Sequence, residues 1–572
     1  MNKTFTFLFI YLAFSHITHS QNIDWVKQIG GTSEDVILSV DTDANSNTYS
    51  TGYFANTSHF DEITLNSIGY FNGFVTKTDA NGTILWAKSF GQPNDGDIND
   101  YHSVIPRSVA VDANGNVIIT GYFEAGEFDA DPGNGEFILT SNSYEMFIVK
   151  LDSNGEFIWA TSFGATENSF ENIYDVETDI NGNVYVTGFY SGSISIDHAA
   201  GTDFISSKGS NDIFIMKFDA SGYYSWMYSV GGPDSDISID MEVTSNSEIY
   251  ITGQYRDSAT FYEPFFMGSP VILDTTEGYK AIFALKLDTN GNFINVIKIG
   301  EAESSAIGMS LAVGINNYVY LTGHYGGILT SNTGSSNEFN LNSDNNYEGF
   351  IAKVDFNNNN VKWIKEIDGA NSSVYSFAVD TDSNNILHIA GFFGETLNVG
   401  SFNLTKQTTN AQENFLIAMN DSGDYLSAHQ FGGLDAVDTQ SLVIDDNDNI
   451  ILGGSFKETV NISPFSSENI SITSLGFRDN YILRLSNNTV LSTKTNTLQT
   501  NFKIYPNPTS DYLIVSKNNL NEKLNYIIFD INGKPILSGV TENKEKINLN
   551  TLNSGVYFFS INNQNTFKFL KK

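Results

Sequence analysis

The chain has 572 residues, 66 acidic against 29 basic, a net charge of −37 and no cysteine. That composition excludes disulfides, thiolate metal sites and cysteine nucleophiles, and so strong a negative field repels phosphate backbones, so nucleic acid is not an expected partner. With 13% aromatic residues, 48 glycines and only 17% charged residues, it suits a turn-rich β protein built as several domains or one repeat array.

Residues 1–20 open with Met1-Asn2-Lys3, continue in an apolar run from Phe5 to Phe14, and end in a polar stretch at Ser20. A basic start, a short apolar centre and a small residue predict a secretory signal peptide, cleaved between Ser20 and Gln21. A spanning helix needs about 20 apolar residues. No run in the chain reaches that length, so the expected mature protein is not membrane-spanning.

Residues 21–490 repeat. Gly115-Asn-Val-Ile-Ile-Thr-Gly-Tyr-Phe123 returns as Gly182-Asn-Val-Tyr-Val-Thr-Gly-Phe-Tyr190, and equivalent glycines follow an apolar strand at Gly52, Gly121, Gly188, Gly253, Gly323, Gly391 and Gly454. Their spacing of 63 to 70 residues gives seven copies. Within a copy, Asn/Asp/Gly turns separate short strands, as in Met146–Asp152, Ser153-Asn154-Gly155 and Glu156–Gly164. The unbroken apolar run Val117-Ile118-Ile119 predicts a strand buried on both faces, as blades stacked against neighbours require. The repeat resembles the bacterial seven-bladed β-propeller repeat family, with a parallel β-helix as the weaker architecture. Either Ile23–Ile29 or residues 489–494 would supply the strand that closes the ring.

Residues that recur once per copy are expected to be scaffold. Trp25, Trp86, Trp159, Trp226 and Trp363 share one repeat position, where the other copies have Asn295 and Ser427. They predict blade-to-blade packing, with sugar stacking as the competing role. A Lys-x-Asp step (Lys77 and Asp79, Lys150 and Asp152) predicts a charge pair or a turn cap. Asp41-x-Asp43-x-Asn45 and Asp445-Asp446-Asn447-Asp448 offer oxygen ligands of the kind Ca²⁺ takes, but lack the helix-loop-helix calcium pattern. No cofactor is therefore expected, and structural calcium is carried without an assigned site. The histidines beyond residue 20 show no transition-metal spacing. No nucleophile elbow, phosphate loop or His-Glu-x-x-His is present, so no catalytic residue is assigned and the expectation is a non-enzyme.

Departures from the repeat are the candidate ligand-binding positions. The fourth copy carries an insertion, Arg256 to Lys280, with Phe261, Tyr262, Phe265, Phe266 and Met267 clustered on an expected loop. The second carries Gln92 to Arg107, with Tyr101, His102 and Arg107. Loops and aromatic clusters suit recognition, and the competing role is cover for a blade edge.

After a linker at 491–501, residues 502–572 form a separate small β domain with nine Lys against five acids. An alternating strand ends at Val515, Tyr526–Asp530 and Pro535–Ser538 form a hairpin about Asn532-Gly533, and Leu552–Ser560 gives a further strand. Tyr505-Pro506-Asn507-Pro508, Phe529-Asp530-Ile531-Asn532-Gly533-Lys534 and Ser554-Gly555-Val556-Tyr557, with a basic end, resemble the type A C-terminal sorting domain of the type IX secretion system. The resemblance implies an immunoglobulin-like sandwich that engages the type IX machinery in a Bacteroidetes-type bacterium with two membranes. It also implies removal of the domain, and release of the cargo or attachment to surface lipopolysaccharide.

The expected protein is all-β: a seven-bladed propeller followed by this sandwich, secreted or displayed on the outer cell surface. Its expected role is binding or scaffolding toward an extracellular glycan or protein. A polysaccharide-degrading enzyme with its site at the propeller channel, and a purely structural surface component, are the alternatives.

Overall fold

The computed structural model describes residues 20–93, 102–165, 171–198, 201–262, 269–300, 304–343, 346–370, 372–407, 412–433, 435, 437–462, 470–488, 502–517, 523–530, 534–561 and 565–572. Residues 1–19 of the predicted signal peptide 1–20, and the predicted linker 491–501, lie outside these residues. The chain divides into two compact units, Thr18–Val490 and a unit that includes Leu491–Lys572.

The first unit is a seven-bladed propeller of four-stranded antiparallel blades. Blade 1 runs Asp35–Thr42, Thr48–Phe54, Asn72–Thr78 and Ile84–Phe90 from the channel outward. Blades 2 to 6 repeat that order. Blade 7 takes its three inner strands from Val437–Ile444, Ile450–Phe456 and Asp479–Asn488. Its outermost strand is Ser20–Gly31, paired antiparallel from Ser20 against Asn488 to Ile29 against Asn480. The ring is thus closed by the Ile23–Ile29 segment; residues 489–494 lie outside the described set.

The repeated glycine has a steric cause. In every blade the innermost strand carries a β-bulge, and the glycine of the second strand sits opposite it, Ile37 facing Gly52 and Ile173 facing Gly188, for example. A Cβ on Gly52, Gly188 or Gly391 would lie 1.9, 1.9 or 2.0 Å from the carbonyl oxygen of Val36, Asn172 or Tyr375. No rotamer relieves a clash with backbone. Gly188→Ala is expected to destabilise the propeller by about 3 kcal/mol, read by denaturant unfolding. Gly278→Ala has nothing within 4 Å and strains only its φ of +86°, so it should cost about 1 kcal/mol. Equal losses would refute this account of the repeat.

Apolar cores sit between blades. One joins Ile37, Phe54 and Phe74 of blade 1 to Ile451 and Ile482 of blade 7. Another joins Tyr49 and Val75 of blade 1 to Val117, Ile119 and Phe147 of blade 2. Hence Val117, Ile118 and Ile119 are all buried, on alternate faces of one strand. Between its second and third strands each blade adds a small two-stranded extension, such as Thr57–Phe60 with Ile63–Asn66. The end of the preceding blade's outer strand latches onto it: Gly30 and Gly31 pair with His59 and Ser58, and Gly432 and Gly433 with Asn461 and Val460.

The second unit is a two-sheet β-sandwich. Phe502–Tyr505, Tyr512–Lys517 and Lys546–Asn548 form one sheet. Pro535–Thr541, Leu524–Phe529, Gly555–Ile561 and Asn565–Lys571 form the other. Leu513, Val515, Ile528, Phe559 and Phe569 fill its core. The strand of Leu524–Phe529 pairs antiparallel with Pro535–Thr541, and the turn Asn532-Gly533 lies outside the described residues.

Candidate functional site

The innermost strands line a central channel enclosing about 240 Å³. Among the described residues six carboxylates face it, Asp41, Asp175, Glu177, Asp240, Glu242 and Asp380, and its lining holds no Lys, Arg or His. Several of these acids staple one blade to the next. Asp41 Oδ2 accepts the Val111 N–H at 2.7 Å, Asp175 that of Met241 at 3.0 Å, and Asp240 that of Leu311 at 2.6 Å. Glu242 accepts from Val313 at 2.6 Å, Asp380 from Ile444 at 2.7 Å, and Ser441 Oγ from Val40 at 3.2 Å across the ring closure. Each accepting group thereby gives a neighbouring inner strand the partner that its own sheet cannot supply.

Burial raises every one of these acids, and repulsion from other channel acids adds to it for Asp41, Glu177, Asp240 and Glu242. Asp41 is pushed up to about 7, with Asp175 and Asp380 contributing repulsion, and Glu242 to about 8. Glu177 and Asp240 are raised by burial and then by Asp175. Backbone N–H donors pull the other way, but among the described residues no cation lines the channel to finish the neutralisation. Asp175 and Asp240 also hydrogen-bond to each other, which requires one of them to hold a proton.

The bulges shape one mouth of the channel. Each leaves one residue outside the ladder pairing: Leu38, Arg107, Tyr174, Ile239, Met309, Phe377 and Gln440. All seven are partly or fully exposed; six immediately precede the residue at which the channel wall begins, and Phe377 lies two before it. A bulge re-aims a side chain, so these positions vary while the scaffold around them repeats. Beside Leu38 and Arg107 opens a cleft of about 500 Å³, walled also by Tyr53, Tyr70, Phe71, Tyr122 and Glu124. Tyr53 and Tyr70 both pack edge-on to Phe71, with centroids 4.7 and 4.6 Å away. The Arg107 guanidinium lies 5.7 Å from the Tyr122 centroid.

Of the sequence candidates, the structure brings Arg107 into this cleft. His102 borders it: its carbonyl accepts the Tyr70 N–H at 2.9 Å, and Ser103 bridges to Phe71. Tyr101 lies outside the described residues. In the fourth-copy insertion, Phe261 does not lie on a loop. Phe261 is 1% exposed and packs on Tyr255 and Phe283 as core, because it sits in Ser258–Tyr262, the blade 4 version of the extension that every blade has. Tyr262 stacks on Phe293 at 5.1 Å. Phe265, Phe266 and Met267 lie outside the described residues.

The repeated tryptophans act as inter-blade ties. Trp25, Trp86, Trp159, Trp226 and Trp363 each donate Nε1–H to a turn carbonyl of the next blade, Ala80, Ser153, Ala220, Thr289 and Asp421, at 3.1 to 3.3 Å. A turn glycine lies against each indole; at Gly82, Gly222 and Gly291 an added Cβ would meet the ring within 3 Å. Ser427 replaces Trp where the next blade is blade 7, whose third and fourth strands come from distant parts of the chain and so are not joined by such a turn. The Lys-x-Asp step separates into two roles. Asp79 and Asp152 cap their own turns, whereas Lys77 and Lys150 pair with Asp43 and Asp112 of the inner turn. The two Asp/Asn clusters are likewise turn caps: Asp43 accepts the N–H groups of Asn45 and Asn47, and Asp445 those of Asn447 and Asn449, while Asp41 faces the channel.

Fold and site together define a secreted propeller carrying its own export domain. Residues 503–572 match the secretion system C-terminal sorting domain family, which in the type IX system sends the chain to the cell surface or exterior of a two-membraned bacterium. The propeller has distant relatives. The uncharacterized WD repeat-containing protein L264 of Acanthamoeba polyphaga mimivirus is 23% identical over 373 residues, 56% of this chain and 26% of that protein. The regulatory protein FlaEY of Caulobacter vibrioides is 26% identical over 166 residues, 28% of this chain and 16% of that protein. The chain thus spans only 26% and 16% of the curated relatives it matches. Among solved structures, the Dos1 propeller aligns at 8% identity and a TM-score of 0.38, covering 83% of this chain and 97% of that one. The NanB sialidase of Streptococcus pneumoniae aligns at 12% identity and a TM-score of 0.32, covering 83% and 70%. Neither likeness bears on ligand or activity. Among the described residues no helix is long and apolar enough to cross a membrane.

Proposed function

We propose that the propeller is a non-enzymatic binding module for an extracellular glycan, held at the channel-mouth cleft and delivered outside the cell by a type A sorting domain that is then removed. The observation that carries this reading is the cleft itself: Tyr53, Tyr70, Phe71 and Tyr122 present ring surfaces around one guanidinium and one carboxylate. Sugar rings stack on such faces, and the two charged groups pair with hydroxyls. Affinity electrophoresis of the purified chain across soluble polysaccharides is expected to show retardation by at least one polymer. Tyr70 is 51% exposed, so Tyr70→Ala should leave the fold intact while weakening binding about tenfold. Retardation by no polymer, or an unaffected Tyr70→Ala, would sink the proposal.

A second reading, glycan cleavage in the channel, is favoured by the proton-sharing Asp175 and Asp240, since acid–base chemistry needs two carboxyls in different protonation states. Against it, both are committed to stapling blades. Clearing of substrate in the same gels, lost in Asp240→Asn, would establish this reading in place of the first.

A further inference from the structure

We infer that the cleft selects an acidic polysaccharide, one whose pyranose rings carry a carboxylate, with Arg107 as the residue that takes the carboxylate. This deepens the glycan reading above and rests on it.

The chain has four arginines. Arg478 pairs with Asp438 at 3.1 Å, Arg484 with Asp445 at 2.8 Å, and Arg256 donates to the Gly278 carbonyl at 3.3 Å. Arg107 has no acidic partner within ion-pair distance among the described residues; it hydrogen-bonds to Tyr122, and its buried Nε–H, like those of Arg256, Arg478 and Arg484, has no acceptor. Among the described residues Arg107 shares its cleft with Glu124 but forms no ion pair with it, which leaves its charge available to a ligand. A ligand acceptor in the cleft would complete the donors that Tyr122 leaves free.

Position reinforces this. Arg107 is the bulged residue of blade 2, immediately before the channel-lining Ser108, and it is the one cation among the seven bulged residues. The Tyr122 ring beneath it orients the fork, and Tyr70 and Phe71 offer stacking surfaces on the same wall. A planar carboxylate matches that fork with two parallel hydrogen bonds, which a hydroxyl does not. Glu124 completes the set as an acceptor for ring hydroxyls; its carboxylate already receives the Tyr144 hydroxyl at 3.5 Å. Of the channel acids below, Asp41 and Glu242 are raised to about 7 and about 8, so the six oppose an incoming anion less than their number suggests.

The test uses the full chain in low-salt affinity gels containing polygalacturonate, a neutral galactan, or dextran sulfate. The expected result is retardation by polygalacturonate well beyond that by galactan, relieved by free galacturonate but not by galactose. Arg107→Gln should weaken it at least tenfold, and Arg107→Lys should retain part of it, with melting temperatures reporting that the variants are folded. Competition by galacturonate needs no variant, so the inference stays testable if both substitutions damage the fold. Equal retardation by galactan, or by dextran sulfate, would overturn the carboxylate assignment while leaving a glycan or a polyanion surface respectively. Retardation by none of the three and by no other polysaccharide would overturn the glycan reading itself.

Discussion

Raising the pH from about 5 to about 8.5 is expected to lower the melting temperature of the propeller by several degrees, the reverse of what an ion-paired surface would give. The cause is the channel. Glu242, Asp41, Asp240 and Glu177 bind protons more tightly in the folded chain than in the unfolded one, because burial and mutual repulsion penalise their charged forms. A raised folded pKa places an acid's stabilising contribution at low pH, complete below the unfolded value near 4 and lost as pH climbs through the folded value. For Glu242, moved from 4.5 to about 8, the swing is on the order of 3 kcal/mol once channel water is allowed for. Acids of the turns act oppositely. Although burial opposes it, hydrogen bonds hold Asp112, Asp152 and Asp288 below the usual range, so their contribution disappears only as pH falls below about 4. The two sets together place maximum stability in mildly acidic solution. Glu242→Gln keeps an oxygen for the Val313 N–H and removes the titration, so it should raise the melting temperature at pH 8.5 and flatten the slope. Scanning calorimetry across that range checks both; a melting temperature that rises between pH 6 and 8.5 would refute the account.

A chain that begins at Thr32 should fail to form a stable ring. Removing Ser20–Gly31 strips the outer strand from blade 7 and uncovers Ile482, Leu483 and Leu485, which are fully buried. It also takes away the Trp25 tie to Ala80, the Gln28 hydrogen bond to Asp479, and Asp24 beside Arg484. The combined loss is on the order of 5–10 kcal/mol, comparable to the net stability of a domain. Unfolding should become non-cooperative, and limited proteolysis should cut first within residues 437–488. Trp25→Ala alone removes one tie and should cost about 3–4 kcal/mol with cooperativity kept. A truncated chain that melted like the intact one would mean that the ring is held by its other contacts.

The architecture was legible because steric demands repeat with it. The bulge carbonyl needs a glycine opposite in every blade, and each of five indoles needs a turn to donate to, so both left a period in the sequence. The second unit was legible for a different reason, the dense motif set in 502–572. The channel was not, because which residues face inward depends on the bulge, and a single extra residue reverses the alternation of a strand. Yet a signal existed. Counting back fourteen positions from the repeated glycines reaches Leu38, Arg107, Tyr174, Ile239, Met309, Phe377 and Gln440, the bulged residue of every blade. The residue after the glycine supplies Tyr53 and Tyr122 of the cleft. Insertion length was the poorer guide. It drew attention to Phe261, which fills the core, since the extension between second and third strands varies in length without leaving the scaffold.

The strand that closes the ring is the earliest described segment of the propeller, and its partner, Asp479–Asn488, is the latest. On a ribosome, or emerging from a secretion pore with its beginning first, Ser20–Gly31 therefore waits unpaired while more than four hundred residues follow it. Such remote pairing is among the slowest steps a chain can take, and every intermediate before it leaves an open sheet edge at each end. Closure consequently acts as a completeness check: a copy cut short by a nuclease, a stalled ribosome or a protease lacks the last edge and stays an open arc. Those arcs, rather than the finished ring, are the forms that quality-control proteases would find.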